Sequence, residues 1–260
     1  MSEDFEQTGL DAVDKFLDTW NSRDPEAWAG SLKFPHVRPS PFGEIVVAEN
    51  STDYIARVDF AATVASGWDH SEWDYKHVLH TSPQKIHVAG QWSRYNETGD
   101  IILTTPIIYI VTKSDGAWGI QSRFGADYAD EETDTTGLMT RGLNLIQDFV
   151  NQHNAGNREV CAEMLNYPHI VVEPGTLALT HGPADFKPGD YQMNIDSLQA
   201  LQTGLHSMNA GIELTLTTDE NRVSYQGVVN LTVREHHLGI QAWSFLNPEA
   251  KLEEAPEIEN

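Results

Sequence analysis

The chain contains an internal duplication, and this repeat restricts the folds it can adopt more than any other feature. Two segments of the first half match the second half without gaps at an offset of 133 (Phe16 to Phe149): residues 16–21 with 149–154, and residues 33–37 with 166–170. A Pro-His pair falls in register in both copies. A repeat of this length normally encodes one structural unit, so the sequence predicts two tandem domains, residues 1–133 and 134–260.

The offset between the copies shrinks further along the chain. Residues 79–81 match residues 205–207 at 126, and residues 119–121 match residues 239–241 at 120. We therefore expect the second copy to have lost loop residues while keeping the order of its elements. Charge divides evenly as well, because 22 acids and 10 bases give −12 in the first domain and 17 acids and 6 bases give −11 in the second.

The net charge of −23 excludes nucleic acid and anionic membranes as expected partners, since both require a basic surface. The densest charge clusters are acidic, at residues 130–132 and in the tail at residues 253–259. A single cysteine, Cys161, allows no internal disulfide, and the N-terminus lacks the pattern of a signal peptide. With no apolar run long enough to span a bilayer, these features favour a soluble, cytoplasmic protein.

The same order of elements is predicted in each copy. Apolar residues at helical spacing open both copies: Leu10, Val13, Phe16, Leu17 and Trp20, then Leu143, Ile146, Phe149 and Val150. In the first copy Asp24 and Pro25 predict a second helix, and the apolar face from Tyr54 to Ala65 predicts a third that ends at Gly67. Four β-rich segments follow: residues 75–80, 86–95, 101–112 and 118–124. The expected class is α+β, with three helices against a curved, mainly antiparallel sheet.

Four segments of the first copy resemble the nuclear transport factor 2-like superfamily: residues 20–24 (WNSRD), 34–38 (FPHVR), 67–73 (GWDHSEW) and 115–121 (DGAWGIQ). The resemblance covers nearly the whole chain as two tandem copies. It implies two cone-shaped domains, each with a pocket between helices and sheet. Members include ketosteroid isomerase, scytalone dehydratase, limonene epoxide hydrolase, SnoaL-like cyclases and non-catalytic binding domains, so the fold does not specify a function. None of those enzymes' catalytic residues aligns residue by residue with this chain.

Strand alternation predicts which side chains face each pocket. In the first copy these are Trp118, Ile120, Ser122 and Phe124, and in the second they are Leu238, Ile240, Ala242 and Ser244. Trp243 and Phe245 would then point outward and need a covering surface. We therefore expect the two sheets to pack face to face as an intramolecular pseudo-dimer, the alternative being two linked domains with isolated exposed aromatics.

The strongest chemical cluster lies around residues 68–73. Asp69 and His70 are candidate catalytic residues, because a carboxylate that holds one imidazole nitrogen makes the other a useful base. The candidate ligand-binding residues are His36, Arg38, Trp68, Trp73, Arg94, Tyr109, Ser122 and Phe124. In the alternative interpretation Trp68 and Trp73 fill the core and Asp69 caps a turn.

Comparing the copies tests this cluster. At an offset of 126, Trp68, Asp69, His70 and Trp73 correspond to Asn194, Ile195, Asp196 and Gln199, and at 133 Arg38 corresponds to Val171. The second copy thus lacks the cluster. Histidines recur instead, as the pairs His36/His169 and His80/His206, which favours a role in packing or hydrogen bonding.

The leading hypothesis is a protein that binds a small, mainly apolar organic molecule in the pocket of the first domain. The alternatives are a SnoaL-like or ketosteroid-isomerase-like enzyme that uses Asp69 or His70 with Arg38 or Arg94, and a protein-assembly module. No metal and no cofactor are expected, because histidine spacing such as His77 and His80 lacks ligand geometry and phosphate-loop motifs are absent. The chain is expected to be a monomer with an internal pseudo-dimer, or a homodimer.

Overall fold

A computed structural model describes residues 3–250, so the acidic tail at residues 253–259 lies outside the described residues. The first half comprises α1 (Phe5–Asn21), α2 (Pro25–Ala29), β1 (Leu32–Pro39), β2 (Ile45–Ala48), α3 (Ser51–Ile55), α4 (Phe60–Ala65), β3 (His70–Thr81), β4 (Lys85–Tyr95), β5 (Ile101–Ser114) and β6 (Ala117–Gly125). The second half comprises α5 (Thr136–Asn154), α6 (Arg158–Glu163), β7 (Leu165–Glu173), β8 (Thr176–Thr180), a 3₁₀ turn (Pro183–Asp185), β9 (Gln192–Thr203), β10 (Ser207–Thr217), β11 (Arg222–Arg234) and β12 (His237–Leu246). The predicted boundary at residue 133 falls in the connection between β6 and α5.

Each half forms one six-stranded sheet. The strand orders are β2-β1-β6-β5-β4-β3 and β8-β7-β12-β11-β10-β9, which are the same order. Each sheet has one parallel pairing, between the first and the last strand of that half: β1 with β6, and β7 with β12. The predicted α+β class, with helices followed by a mainly antiparallel sheet in each copy, is confirmed.

The helices differ from the prediction in number. The predicted third helix is two short helices, α3 and α4, because the Asp59 side chain caps α4 and its backbone, at φ −123°, is not helical. Its carboxylate accepts a hydrogen bond from the Ala62 N–H at 2.8 Å. In the second half, α5 and α6 correspond to α1 and α2. Among the described elements, the 3₁₀ turn after β8 stands where the first half has α3 and α4.

The two sheets pack against each other through an apolar layer that both halves supply. It contains Val37, Ala89, Ile108, Ile110 and Phe124 from the first half, and Ile170, Val172, Val228 and Ala242 from the second. Polar contacts cross the same layer, including the Gln202 amide, which donates to the carbonyls of Gly90 (2.9 Å) and Ile107 (3.2 Å). The predicted intramolecular pseudo-dimer is therefore observed.

Trp243 and Phe245 do not lie between the sheets as predicted; they face the helices of their own half. A β-bulge at Gln241 causes this: Leu231 pairs with Ile240 and Asn230 with Ala242, which leaves Gln241 without a partner. One extra residue reverses the alternation of side chains beyond it. Ala242 consequently packs between the sheets, while Trp243 and Phe245 border the core of the second half.

Candidate functional site: a cavity with three arginines

A cavity of about 330 Å³ lies in the first half, between the first two helices and the sheet. We call it the arginine cavity, after the three arginines in its wall: Arg38, Arg94 and Arg123. Aromatic side chains form much of the remaining wall: Phe16, Trp20, Trp28, Phe42 and Trp92. Three of them come from α1 and α2, whose apolar faces are buried against the sheet.

Arg123 is the most deeply placed of the three, with 5% of its surface exposed. One of its guanidinium nitrogens donates to the Tyr54 hydroxyl at 2.9 Å. The guanidinium carbon lies 4.8 Å from the ring centre of Phe16 and 5.7 Å from that of Trp28, so aromatic faces partly stabilise the charge. Its Nε is buried without a hydrogen-bond partner among the described residues.

Arg94 and Arg38 extend the positive wall towards the rim. The Arg94 guanidinium lies over Trp20 at 5.2 Å and Trp92 at 5.6 Å, burial lowers its pKa, and its Nε also has no partner among residues 3–250. Arg38 is exposed at the rim. The positive charge of Arg123, followed by partial burial, lowers the pKa of Arg38 to about 10.

None of the three guanidinium groups forms an ion pair with a carboxylate within the described part of the chain. The one acidic residue in the wall, Glu44, is exposed. The chain as a whole has a net charge of −23, but these three arginines make the wall of this cavity positively charged. The site therefore has unused capacity to bind an anion.

Asp69 and His70 do contact each other, with 2.9 Å between Oδ2 and Nδ1. Their side chains are 44% and 40% exposed, and His70 stacks on Tyr95. Neither lines the arginine cavity; Asp69 instead borders a shallow depression beside Arg23. The structure thus separates this pair from Arg94: His70 pairs with Tyr95 and Ser71 with Arg94, so His70 and Arg94 lie on opposite faces of the sheet.

Four other predicted residues are packing residues of the first half. Trp68 is buried and donates from Nε1 to the Ser71 hydroxyl at 3.0 Å, and Trp73 packs edge-on against Tyr109 at 5.7 Å. Burial raises the pKa of Tyr109. His36 is fully buried, and its Nδ1–H donates to the Ile120 carbonyl at 3.1 Å. None of the four lines the arginine cavity.

The prediction that Ser122 and Phe124 face the pocket is wrong. A bulge at Gln121, matching that at Gln241, lies between the pairs Ile110–Ser122 and Val111–Ile120. Phe124 therefore packs between the two sheets, and the Ser122 hydroxyl donates to the Val37 carbonyl at 2.9 Å. The same bulge turns Arg123 into the cavity, although alternation counted from Ile120 would put it on the opposite face.

The offset of 126 used to compare the copies is also wrong in this region. Ile86 pairs with Val111 and Met208 with Leu231, so β4 corresponds to β10 at an offset of 122. A three-residue match was too short to set the register. His80 therefore corresponds to Gln202, whereas the pair His36/His169 stands: the His169 Nδ1–H donates to the Ile240 carbonyl, again at 3.1 Å.

Solved structures with a similar fold each match about half of the chain. An NTF-2 like protein of unknown function from Shewanella oneidensis MR-1 is 16% identical, with 46% of this chain and 98% of that chain covered and a TM-score of 0.39. The chain is similar to it in fold over this half. Two further structures with this fold are a ketosteroid isomerase-like protein from Erwinia carotovora atroseptica (16% identity, 50% and 100% covered, TM-score 0.39) and Aln2 from a Streptomyces species (13%, 47% and 88%, 0.38).

No protein-family model and no curated protein matches the sequence. With identities below 25% and TM-scores below 0.5, these similarities carry no information about ligand or reaction. Within residues 3–250, no cluster of three His, Cys, Asp or Glu side chains could hold a metal ion. None of the described helices is long and apolar enough to cross a bilayer.

Proposed function

We propose that the protein binds a small organic anion with an aromatic or apolar body in the arginine cavity. The observation that carries this proposal is the buried Arg123 guanidinium, which has no carboxylate partner among the described residues. A buried charge without a counter-charge is costly, and an incoming carboxylate offsets that cost through charge-assisted hydrogen bonds. Arg94 and Arg38 supply further donors on the same wall.

The rest of the wall defines the body of the ligand. Trp20, Trp28 and Trp92 present broad apolar surfaces within a cavity of about 330 Å³, a size suited to a molecule of one or two fused rings. The ring system of such a ligand would stack on the indoles, and its anionic group would contact the guanidinium groups. The ligand class is therefore narrower than the mainly apolar molecule expected from the sequence.

Binding is favoured over catalysis by the placement of the candidate bases. Asp69 and His70 lie outside the cavity, and Glu44, the one acidic residue in its wall, is exposed at the rim. A general base must lie within hydrogen-bond reach of the proton that it removes. No described contact favours the proton-transfer or assembly alternatives.

Calorimetric titration of the full chain with 2-naphthoate tests the proposal. We expect binding with one site in the first half and a change in tryptophan fluorescence from the cavity indoles. Arg94→Leu and Arg123→Met should each weaken binding about tenfold or more, because each removes a charge-assisted hydrogen-bond donor.

Arg141→Leu is the matched control, because Arg141 is exposed on α5 in the second half and does not line the arginine cavity. It should leave the affinity for 2-naphthoate unchanged. Equal affinity in the wild type, Arg94→Leu and Arg123→Met would overturn the proposal, as would the absence of any binding to the wild type.

A further inference from the structure

A second cavity, of about 260 Å³, lies in the second half between α5 and the sheet. We call it the apolar cavity. Its wall includes Phe149, Ile212, Leu214, Leu216, Trp243 and Phe245. It shares no residue with the arginine cavity, so the two sites can be tested separately.

The strand ladders relate the walls of the two cavities residue by residue. The offset is 133 between β1 and β7, because the buried histidines His36 and His169 make the same contact; it is 122 between β4 and β10, and 120 between β6 and β12. At these offsets the three arginines all become apolar residues: Arg38 becomes Val171, Arg94 becomes Leu216, and Arg123 becomes Trp243. All three replacements line the apolar cavity.

The polar groups of the apolar cavity are few and lie among uncharged neighbours. No lysine or arginine lines it, and its one carboxylate, Glu173, is half exposed and paired with Lys85 at 2.9 Å. Tyr191 and Tyr225 supply two phenol groups, and burial followed by the proximity of Tyr225 raises the pKa of Tyr191. Neither phenol hydroxyl donates to an acceptor within the described residues, so each can donate to a ligand.

We infer that the second half is a second binding site, specific for an uncharged, mainly apolar molecule that carries one hydrogen-bond acceptor. The apolar wall would desolvate such a molecule, and a tyrosine hydroxyl would donate to its acceptor. An anion would lose its hydration without gaining a cationic partner. The two halves therefore share a fold but differ in the ligand charge that they accept.

The probe for this site is 2-acetylnaphthalene, which matches 2-naphthoate in shape but is a neutral ketone. Met193 lines the apolar cavity, and no methionine lines the arginine cavity. In the full chain with ¹³C-labelled methionine methyl groups, we expect 2-acetylnaphthalene to shift the Met193 resonance through the ring current. The anion 2-naphthoate should leave that resonance in place.

Reciprocal variants locate the site. Leu216→Arg installs the residue of the first half and should weaken binding of 2-acetylnaphthalene at least tenfold, whereas Arg57→Leu, at an exposed position outside both cavities, should leave it unchanged. Val171→Arg, at a half-exposed position, makes the same test if Leu216→Arg fails to fold. The inference is overturned if the ketone does not shift Met193 up to its solubility limit, or if binding is unaffected by an arginine at position 216 or 171.

Discussion

The ammonium group of Lys85, on the first half, lies 2.9 Å from a carboxylate oxygen of Glu173, on the second. The same nitrogen donates to the carbonyls of Val172 and Phe245, each at 2.7 Å. The side chain is 3% exposed, and burial lowers its pKa. All three protons of the ammonium group are thus used, and the contact fixes the packing of one sheet on the other.

Replacing Lys85 by methionine is expected to lower the free energy of unfolding by roughly 2–4 kcal/mol. The change keeps the volume but removes a charged donor that the Val172 and Phe245 carbonyls share, and it leaves Glu173 without its counter-charge. Chemical denaturation with urea measures the effect. Glu173→Gln is the comparison, and because Glu173 is half exposed it should cost clearly less; equal losses would contradict the assignment.

Arg38→Val, which copies Val171 of the second half, should raise the melting temperature slightly, because Arg38 is exposed and solvent screens most of its repulsion from Arg123. It removes the repulsion from Arg123 that lowers the pKa of Arg38. The same variant should bind 2-naphthoate more weakly, since function and stability place opposite demands on the residue. Arg57→Val is the control, because Arg57 pairs with Asp53 at 3.0 Å, and it should not stabilise the chain.

Acidification should destabilise the protein between pH 6.5 and 4. Burial lowers the pKa of His169 from its ordinary value of 6.5 to about 4, so over this range the unfolded chain takes up a proton that the folded chain does not. Stability is therefore complete above pH 6.5 and is lost as the pH falls. From pH 7 to 5, His169 alone accounts for a loss of roughly 2 kcal/mol.

The variant His169→Asn tests this dependence, because the asparagine amide can still donate to the Ile240 carbonyl. Its stability, measured by denaturation at each pH, should fall by roughly 2 kcal/mol less than that of the wild type over the same range. His181→Asn, at an exposed position, should follow the wild-type curve. A His169→Asn curve parallel to the wild type would show that the buried ring is not responsible.

Sodium chloride should raise the melting temperature, because a net charge of −23 opposes compaction and salt screens that repulsion. The expected rise is steepest at low ionic strength. A thermal melt at several salt concentrations measures it, and a fall in melting temperature on going from low to moderate salt would contradict the prediction.

Much of the architecture could be predicted from the sequence. The matched segments around His36 and His169 indicated two copies, and the contacts of these residues confirm the match, since each histidine donates to a carbonyl of the last strand at 3.1 Å. Helix periodicity placed Phe16 and Trp20 on a buried face. These features are local, so they can be read from neighbouring residues.

The residues of the arginine cavity were only partly predictable. Arg38 and Arg94 were predicted to bind a ligand, but Arg123 was not, because strict alternation along β6 does not register the bulge at Gln121. Asp69 and His70 were grouped with the arginines because a carboxylate and an imidazole could act as an acid/base pair beside an anion-binding arginine. Their position on an edge strand, outside the cavity, depends on how the sheet is ordered.

The sequence by itself determined that the chain is a duplicated α+β protein with an even acidic charge, because repeats, periodicity and composition are properties of the linear chain. Only the tertiary structure decided which charges share a cavity. A bulge of one residue exchanges the two faces of a strand, so Arg123 and Trp243 each line a cavity in their own half while Phe124 and Ala242 join the halves. Ladder register, set by contacts between distant strands, thus decides where binding can occur.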